Sequence, residues 1–556
     1  MLTHRTARAV LTGVMLSLLS TNASAQAPTI VARLFGDMHA ANGPGCVIAF
    51  DSAGRRQWLT AFGLRDLERG GRNDSLTVFE AGSVSKQFAA AAVVLLARAG
   101  KLSLDDDIRK WIPELPDFGG TTVREVLNHQ SGWRDWRDLV EMSRWPSGTA
   151  QYTLHDALRL LARQRGLNFP SGTEYSYSNT NYALAAILVE RVSGESLGAY
   201  TRRAIFAPLG MRHTRWRDSL SEVVPRRALA WSPTDAGPFK LDMPNETVVG
   251  PSGLLTTAPD LMKWLRNFDT QQVGGAGFTD AMERVGVLRT GRATAYAMGL
   301  EVEALDGERM VYHAGWTGGY VAWAGRLPRR KLALGILCNG SAVNTEELGP
   351  QLMAHLARLT PPTTTRPVLG DTVRDGWLSR AAGLYQSTRT QQVVTLRAFT
   401  QGFSLNTWVG YRRTPDGAFM STDGERRALF TGDTLAVPDG FVVQSRDGDR
   451  VVYERLDPLL ATTAQLAELV GWYRNEETRA VIELRQAGDH LVAWRDGVLH
   501  DDVAAYFRDG FRVPSQSWLL RIRRDTMGRV DGFDLGLPRM RRLPFVRLPD
   551  GGGDDR

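Results

Sequence analysis

Lysine is scarce in this 556-residue chain: only six of its 67 basic residues are lysines and the rest are arginines. Cysteine is scarcer, with only Cys46 and Cys338. Two cysteines exclude a small fold built on a disulfide scaffold. Neither charge dominates, since 67 basic and 60 acidic residues leave a formal +7 with no dense Lys/Arg run. Nucleic acid is therefore not an expected partner. No segment beyond the N-terminus has 18 uninterrupted apolar residues, so stable membrane insertion is not expected of the mature chain. His-Glu-x-x-His, useful Cys/His spacings, a Gly-x-Ser-x-Gly elbow and a phosphate-cradling glycine loop are all missing. Neither metal nor cofactor is expected.

What is present is ordinary globular composition, 43% hydrophobic and 23% charged, which excludes collagen, disordered and coiled-coil classes. At roughly 100–200 residues per domain, the length predicts two to four domains. Residues 1–25 read as a signal peptide. His4, Arg5 and Arg8 precede the mostly apolar Ala9 to Leu19, and Ala23-Ser24-Ala25 offers a cleavage site before Gln26. A retained anchor is the alternative. The expected location is secreted or periplasmic. Cys46 opens one apolar strand-like run and Cys338 closes another. Two buried free thiols are the default expectation, and a bridge requires the two strands to pair antiparallel.

Residues 26–360 mix helical and strand patterns, with buried helices expected at Phe88 to Ala97 and Tyr182 to Val189, and successive strands from Val311 to Leu337. A Pro/Thr-rich linker follows at 361–372, then two all-β modules at 373–460 and 461–550 and a disordered tail at 551–556. Asp-Gly pairs at 416, 439, 447, 496, 509 and 531 mark expected hairpins. The modules repeat at one gapless offset of 88: Gly383-Leu384-Tyr385 faces Gly471-Trp472-Tyr473, and Val393 to Arg397 faces Val481 to Arg485. Each copy has room for about eight short strands, which a closed barrel would leave without edges.

Three patterns in the first domain carry chemistry. Ser83-Val84-Ser85-Lys86 runs into the apolar Phe88 to Leu96. A serine at the start of a buried helix sits beside free backbone N–H groups, and a lysine three residues on shares its face. Desolvation would disfavour the ammonium and make Lys86 a base for Ser83. A helix cap followed by a solvated lysine is the bland alternative. Tyr177-Ser178-Asn179 offers a phenol for proton transfer and a carboxamide to orient a lysine or a carbonyl. Tyr473-Arg474-Asn475 has the same pattern but heads a β module and reads as structural. His313-Ala314-Gly315-Trp316 places glycine on a strand edge, where a ligand can approach and N–H groups can meet an oxyanion. Alone, this reads sooner as a satisfied strand histidine followed by a glycine turn.

In this order within one domain, the three patterns resemble the penicillin-recognising serine hydrolases, in the branch of class C β-lactamases, D-alanyl-D-alanine carboxypeptidases, related esterases and D-stereospecific aminopeptidases. The likeness extends to Leu127-Asn128-His129-Gln130-Ser131-Gly132, Pro170-Ser171-Gly172, Ala207-Pro208-Leu209-Gly210-Met211 and Gly250 to Leu261. The resemblance implies an α+β fold: a β-lactamase/transpeptidase-like catalytic domain, with an antiparallel sheet flanked by helices, followed by two antiparallel β-barrel domains. It makes Ser83 the nucleophile, and Lys86 and Tyr177 the groups sharing its proton. Asn179 would hold Lys86 and the substrate amide, and the N–H groups of Ser83 and Trp316, beside Gly315, would form the oxyanion hole. His129 lies outside these motifs and reads as structural.

His313 stands where β-lactamases and carboxypeptidases carry lysine, and Ala314 lacks the hydroxyl that follows it. Losing one charged and one neutral hydrogen bond to a substrate carboxylate costs about 2–4 kcal/mol. Strong β-lactamase activity is therefore disfavoured. The layout is most similar to the D-aminopeptidase subgroup, which has His-x-Gly, two barrels, and a loop of the last barrel that enters the site. That resemblance implies a small D-amino-acid peptide, amide or ester as substrate and a homodimer. An acidic residue would suit the substrate amine, and Asp501, Asp502 and Asp509 lie in the last module. The competing readings are a short-chain carboxylesterase, a D,D-carboxypeptidase or weak β-lactamase, and a binding protein with a vestigial site.

Overall fold

The computed structural model describes residues 26–36, 42–53, 56–143, 151–235, 237, 239–361, 376–399, 402–406, 409–421, 426–431, 437–445, 448–458, 461–495, 498–513 and 517–549. The expected leader and tail lie outside the described residues, as do all but the first residue of the expected linker.

The catalytic domain is organised by a six-stranded antiparallel sheet. Its spatial order is Glu301–Leu305, Glu308–Thr317, Tyr320–Leu327, Leu332–Cys338, Cys46–Ser52, Arg56–Phe62. The first-strand sequence Cys46-Val47-Ile48-Ala49-Phe50 is apolar at every position because both faces are covered, and successive side chains alternate between layers. Val47 and Ala49 face the helices Ser85–Arg98, Asn179–Ser193 and Ala258–Thr270, whereas Cys46, Ile48 and Phe50 face Gln26–Phe35 and Thr345–Ala357. Ser85–Arg98 and Asn179–Ser193 are apolar nearly all round because each is buried among other elements.

Cys46 pairs directly with Cys338 across neighbouring antiparallel strands, and the two are joined in a disulfide. This corrects the expectation of free thiols. The bridge closes 292 residues of sequence separation and ties the N-terminal strand to the end of the sheet.

Both all-β modules are closed eight-stranded antiparallel barrels, from Gly383–Ser387 to Arg450–Leu456 and from Gly471–Arg474 to Met540–Arg547. Their repeat extends to individual bonds. Tyr385 donates to Ala381 O, and Tyr473 donates to Leu469 O at the same offset. Arg455 caps Arg380 O and Ala382 O, as Arg547 caps Glu468 O and Val470 O. The Tyr473-Arg474-Asn475 match is structural: Asn475 is buried and donates to Pro544 O. Asp416-Gly417 and Asp509-Gly510 fall at hairpin turns, while Asp496-Gly497 and Asp447 lie outside the described residues. Asp531-Gly532 is not a turn. It lies within the strand Val530–Leu537, where a Cβ on Gly532 would sit 2.1 Å from Phe545 O. The glycine there serves close strand approach instead.

The second barrel docks on the segment Arg134 to Met142 of the catalytic domain. Arg134 and Glu477 form a buried ion pair at 2.5 Å, and Trp518 Nε1 donates to Glu141 Oε1 at 2.7 Å. The first barrel meets the same domain through Arg389 and Asp449, which also face Glu174 and Arg292. Among the described residues, no helix is long and apolar enough to cross a membrane.

Candidate active site

Ser83 lies on a one-turn 3-10 segment, Gly82–Val84, that feeds the buried helix Ser85–Arg98. Gly82 has φ +51°, and a Cβ there would sit 2.5 Å from Trp316 N. A Cβ on Gly315 would in turn sit 2.2 Å from Ala81 O and 3.0 Å from Ser83 N. Two glycines thus allow the turn and the strand Glu308–Thr317 to meet backbone to backbone. This brings the backbone nitrogens of Ser83 and Trp316 near one another, the pair of donors an oxyanion hole would need. The Trp316 indole is 69% exposed beside it and offers an apolar face to a ligand.

Lys86 Nζ is 3.0 Å from Ser83 Oγ, 3.0 Å from Asn179 Oδ1 and 2.8 Å from Pro251 O. Burial holds its amine well below the usual lysine range, and the guanidinium groups of Arg137 and Arg539 add to the effect. A neutral amine has two N–H donors and one lone pair. With Asn179 Oδ1 and Pro251 O accepting both donors, the neutral form would turn its lone pair to the Ser83 hydroxyl. Tyr177 OH donates to Ser83 Oγ at 2.9 Å, and burial pushes its phenol above the usual range. Burial thus disfavours the charged form of both the phenol and the amine around one serine oxygen. This geometry places the Lys86 amine within hydrogen-bond reach of the Ser83 hydroxyl.

Asn179 opens the helix Asn179–Ser193, and its backbone N–H donates to Asp135 Oδ2 at 2.7 Å. Asp135 is fully buried and also caps the helix Trp136–Met142 through Arg137 N. One carboxylate thus sets the position of Asn179, and through it that of Lys86. The His129 ring packs at a tilt 4.3 Å from the Tyr177 ring, and its Nδ1 accepts from Ser178 N, so its work is support.

His313 is buried and reaches neither Ser83 nor Lys86 by hydrogen bond. Its Nδ1 lies 2.5 Å from Ala314 O and its Nε2 lies 3.1 Å from Tyr296 OH. Nδ1–H therefore donates to the carbonyl and Nε2 accepts from the phenol. Burial, with Lys86 nearby, pushes its pKa down to about 3, so the ring is neutral at neutral pH. It packs 6.1 Å from the Tyr177 ring, where it and Tyr296 position that phenol. Ala314 belongs to the opposite layer of the sheet and faces away from Ser83.

The structure therefore brings Ser83, Lys86, Tyr177, Asn179, Gly315 and Trp316 to one place, with His313 behind Tyr177. Sequence reading missed Asp135, Pro251 O, Tyr296 and Arg539. Asp135 alone had a local signal, as an N-cap before an apolar helix. The last-barrel element that reaches the site is the turn Pro538-Arg539, whose guanidinium carbon lies 5.0 Å from the Tyr177 ring centroid. Asp502 instead faces His490 and Asp509 is held by Arg524, both within the barrel.

Comparison with known proteins identifies the family. The Beta-lactamase family matches residues 31–358. A D-aminopeptidase of Cereibacter sphaeroides is 27% identical over 531 residues, covering 91% of this chain and 96% of that protein. A D-aminopeptidase of Brucella anthropi is 25% identical over 536 residues, covering 91% and 96%. Among solved structures, an octameric penicillin-binding protein homologue from Pyrococcus abyssi superposes with a TM-score of 0.55. It is 18% identical and covers 85% of this chain and 98% of that one, which shows a shared fold.

Proposed function

The chain belongs to the β-lactamase family and is a serine hydrolase, and from that premise we propose that it is an exported D-aminopeptidase. It would release N-terminal D-amino acids from small peptides, amides or esters through an acyl-enzyme on Ser83. The observation that carries the chemistry is the pair of contacts on Ser83 Oγ: the buried Lys86 amine at 3.0 Å and Tyr177 at 2.9 Å. Relatives named D-aminopeptidase along 91% of the chain support the substrate class.

In this mechanism Lys86 takes the Ser83 proton as Oγ attacks the substrate carbonyl. The N–H groups of Ser83 and Trp316 receive the oxyanion. Tyr177 gives its proton to the leaving nitrogen as the C–N bond breaks, and Lys86 returns a proton to it. Water then attacks the ester with the same two groups as base and acid. Asn179 holds Lys86 through Oδ1, and its Nδ2 has no partner among the described residues, leaving it for the substrate amide.

The test is release of p-nitroaniline from D-alanine p-nitroanilide, with the L-compound alongside. D-selective turnover is expected. Turnover of short esters with neither anilide cleaved would replace this reading with the carboxylesterase. Export is supported by the charged, apolar and small-residue pattern of residues 1–25, and by the Cys46–Cys338 bridge, which suits an oxidising compartment. N-terminal analysis of protein from a native-type host is expected to begin at Gln26; retention of Met1 would contradict export by cleavage.

A further inference from the structure

The turn between the last two strands of the second barrel, Val530–Leu537 and Met540–Arg547, is clamped to the catalytic domain at its backbone. Arg539 N donates to Asp138 Oδ2 at 2.8 Å, and Asn168 Nδ2 donates to Arg539 O at 2.9 Å. Arg541 completes the clamp with a two-pronged pair to Glu174 at 3.1 and 2.9 Å. These contacts fix where the Arg539 side chain emerges.

That side chain lies over Tyr177, yet among the described residues it makes no hydrogen bond. Its nearest carboxylate oxygen, Asp135 Oδ2, is 3.5 Å away and already receives Asn179 N. The other Asp135 oxygen receives Arg137 N. Arg137 itself is engaged by Glu246. Arg539 is thus a cation at this site whose side chain has no hydrogen bond among the described residues, paired only at 3.5 Å with Asp135, and it is 42% exposed. An arginine whose backbone is clamped and whose fork of N–H groups makes no hydrogen bond among those residues matches a carboxylate.

We propose that Arg539 is a substrate-binding residue that receives a carboxylate of the substrate, so that the hydrolase prefers D-amino-acid substrates bearing a free carboxylate. The cation absent at His313 is supplied instead by the barrel, beside Tyr177. The inference rests on the D-amino-acid reading only for its choice of probes. The carboxylate has two possible sources, the C-terminus of a D-dipeptide or the side chain of an acidic D-residue, and the test separates them.

Binding to the full-length Ser83→Ala protein is measured by isothermal titration, so no turnover is needed. The probes are D-alanyl-D-alanine against its C-terminal amide, and D-glutamic acid α-amide against D-glutamine α-amide. At least one carboxylate is expected to bind roughly ten- to hundredfold tighter than its neutral partner. An added Arg539→Gln substitution is expected to erase that difference, and Arg539→Lys to keep part of it. The amide ligands are expected to bind both proteins alike, since the substitution to glutamine leaves the backbone clamp in place. Equal binding of both members of each pair, or a preference that survives Arg539→Gln, would overturn the proposal. Failure of the D-alanine anilide with the carboxylate preference intact would instead remove the aminopeptidase reading alone.

Discussion

Replacing Lys86 by methionine is expected to lower kcat by about 10²–10⁴-fold, the usual worth of a positioned general base. Methionine keeps an unbranched apolar stem in a fully buried site and removes only the amine. Arginine is expected to fail similarly, because a guanidinium is not deprotonated in the working range. In the wild type, burial depresses the Lys86 pKa well below 10.5, so the active, neutral form is lost as pH falls through the folded value. Activity therefore rises with pH along its acid limb. That limb belongs to Lys86, because His313, at about 3, does not titrate there. Stability carries the same sign. Between the depressed folded value and 10.5 the unfolded chain binds more protons, so wild-type stability gains on the Lys86→Met variant as pH rises in that window. Urea unfolding of both proteins between pH 7 and 10 checks this, and a gap that is independent of pH would contradict a neutral buried amine.

Gly315→Ala is expected to cost about 10²–10³-fold in kcat, the worth of one displaced oxyanion donor. The added methyl would lie 2.2 Å from Ala81 O and 3.0 Å from Ser83 N, and both are backbone atoms that no rotamer change can move aside. Relief requires the strand Glu308–Thr317 and the turn Gly82–Val84 to separate, which carries the Trp316 N–H away from the Ser83 N–H. The thermal midpoint should fall as well, since the contact is buried and the inserted atom overpacks it. Unchanged kcat on D-alanine p-nitroanilide would show that Trp316 N–H takes no part in the reaction.

Much of this site was readable because its chemistry sits in short runs. Ser83 and Lys86 share one helical start, Tyr177 and Asn179 share another, and Gly315 and Trp316 are adjacent on one strand. The barrels were readable for a different reason: a gapless repeat keeps the same residue types at the same structural positions. What escaped depends on contacts between distant segments. Pro251 O is a backbone atom 165 residues from the lysine it receives, and no residue type announces it. Arg539 is one arginine among many until the second barrel is docked. The Cys46–Cys338 bridge needed the register of two strands, which neither run contains by itself. Asp531-Gly532 misled because the same dipeptide serves a turn or a close strand crossing, and only the neighbouring Phe545 carbonyl distinguishes them.

The central claim is a covalent intermediate on Ser83, and the direct measurement is mass spectrometry of protein quenched during turnover of a D-alanine ester. Trypsin should release residues 73–86, which hold Ser83 between Arg72 and the cleavable Lys86. The account predicts a D-alanyl adduct on that peptide, localised to Ser83 by fragmentation and missing from the Ser83→Ala protein, which should also be inactive. Turnover that persists in Ser83→Ala, or an adduct placed on another residue, would contradict it.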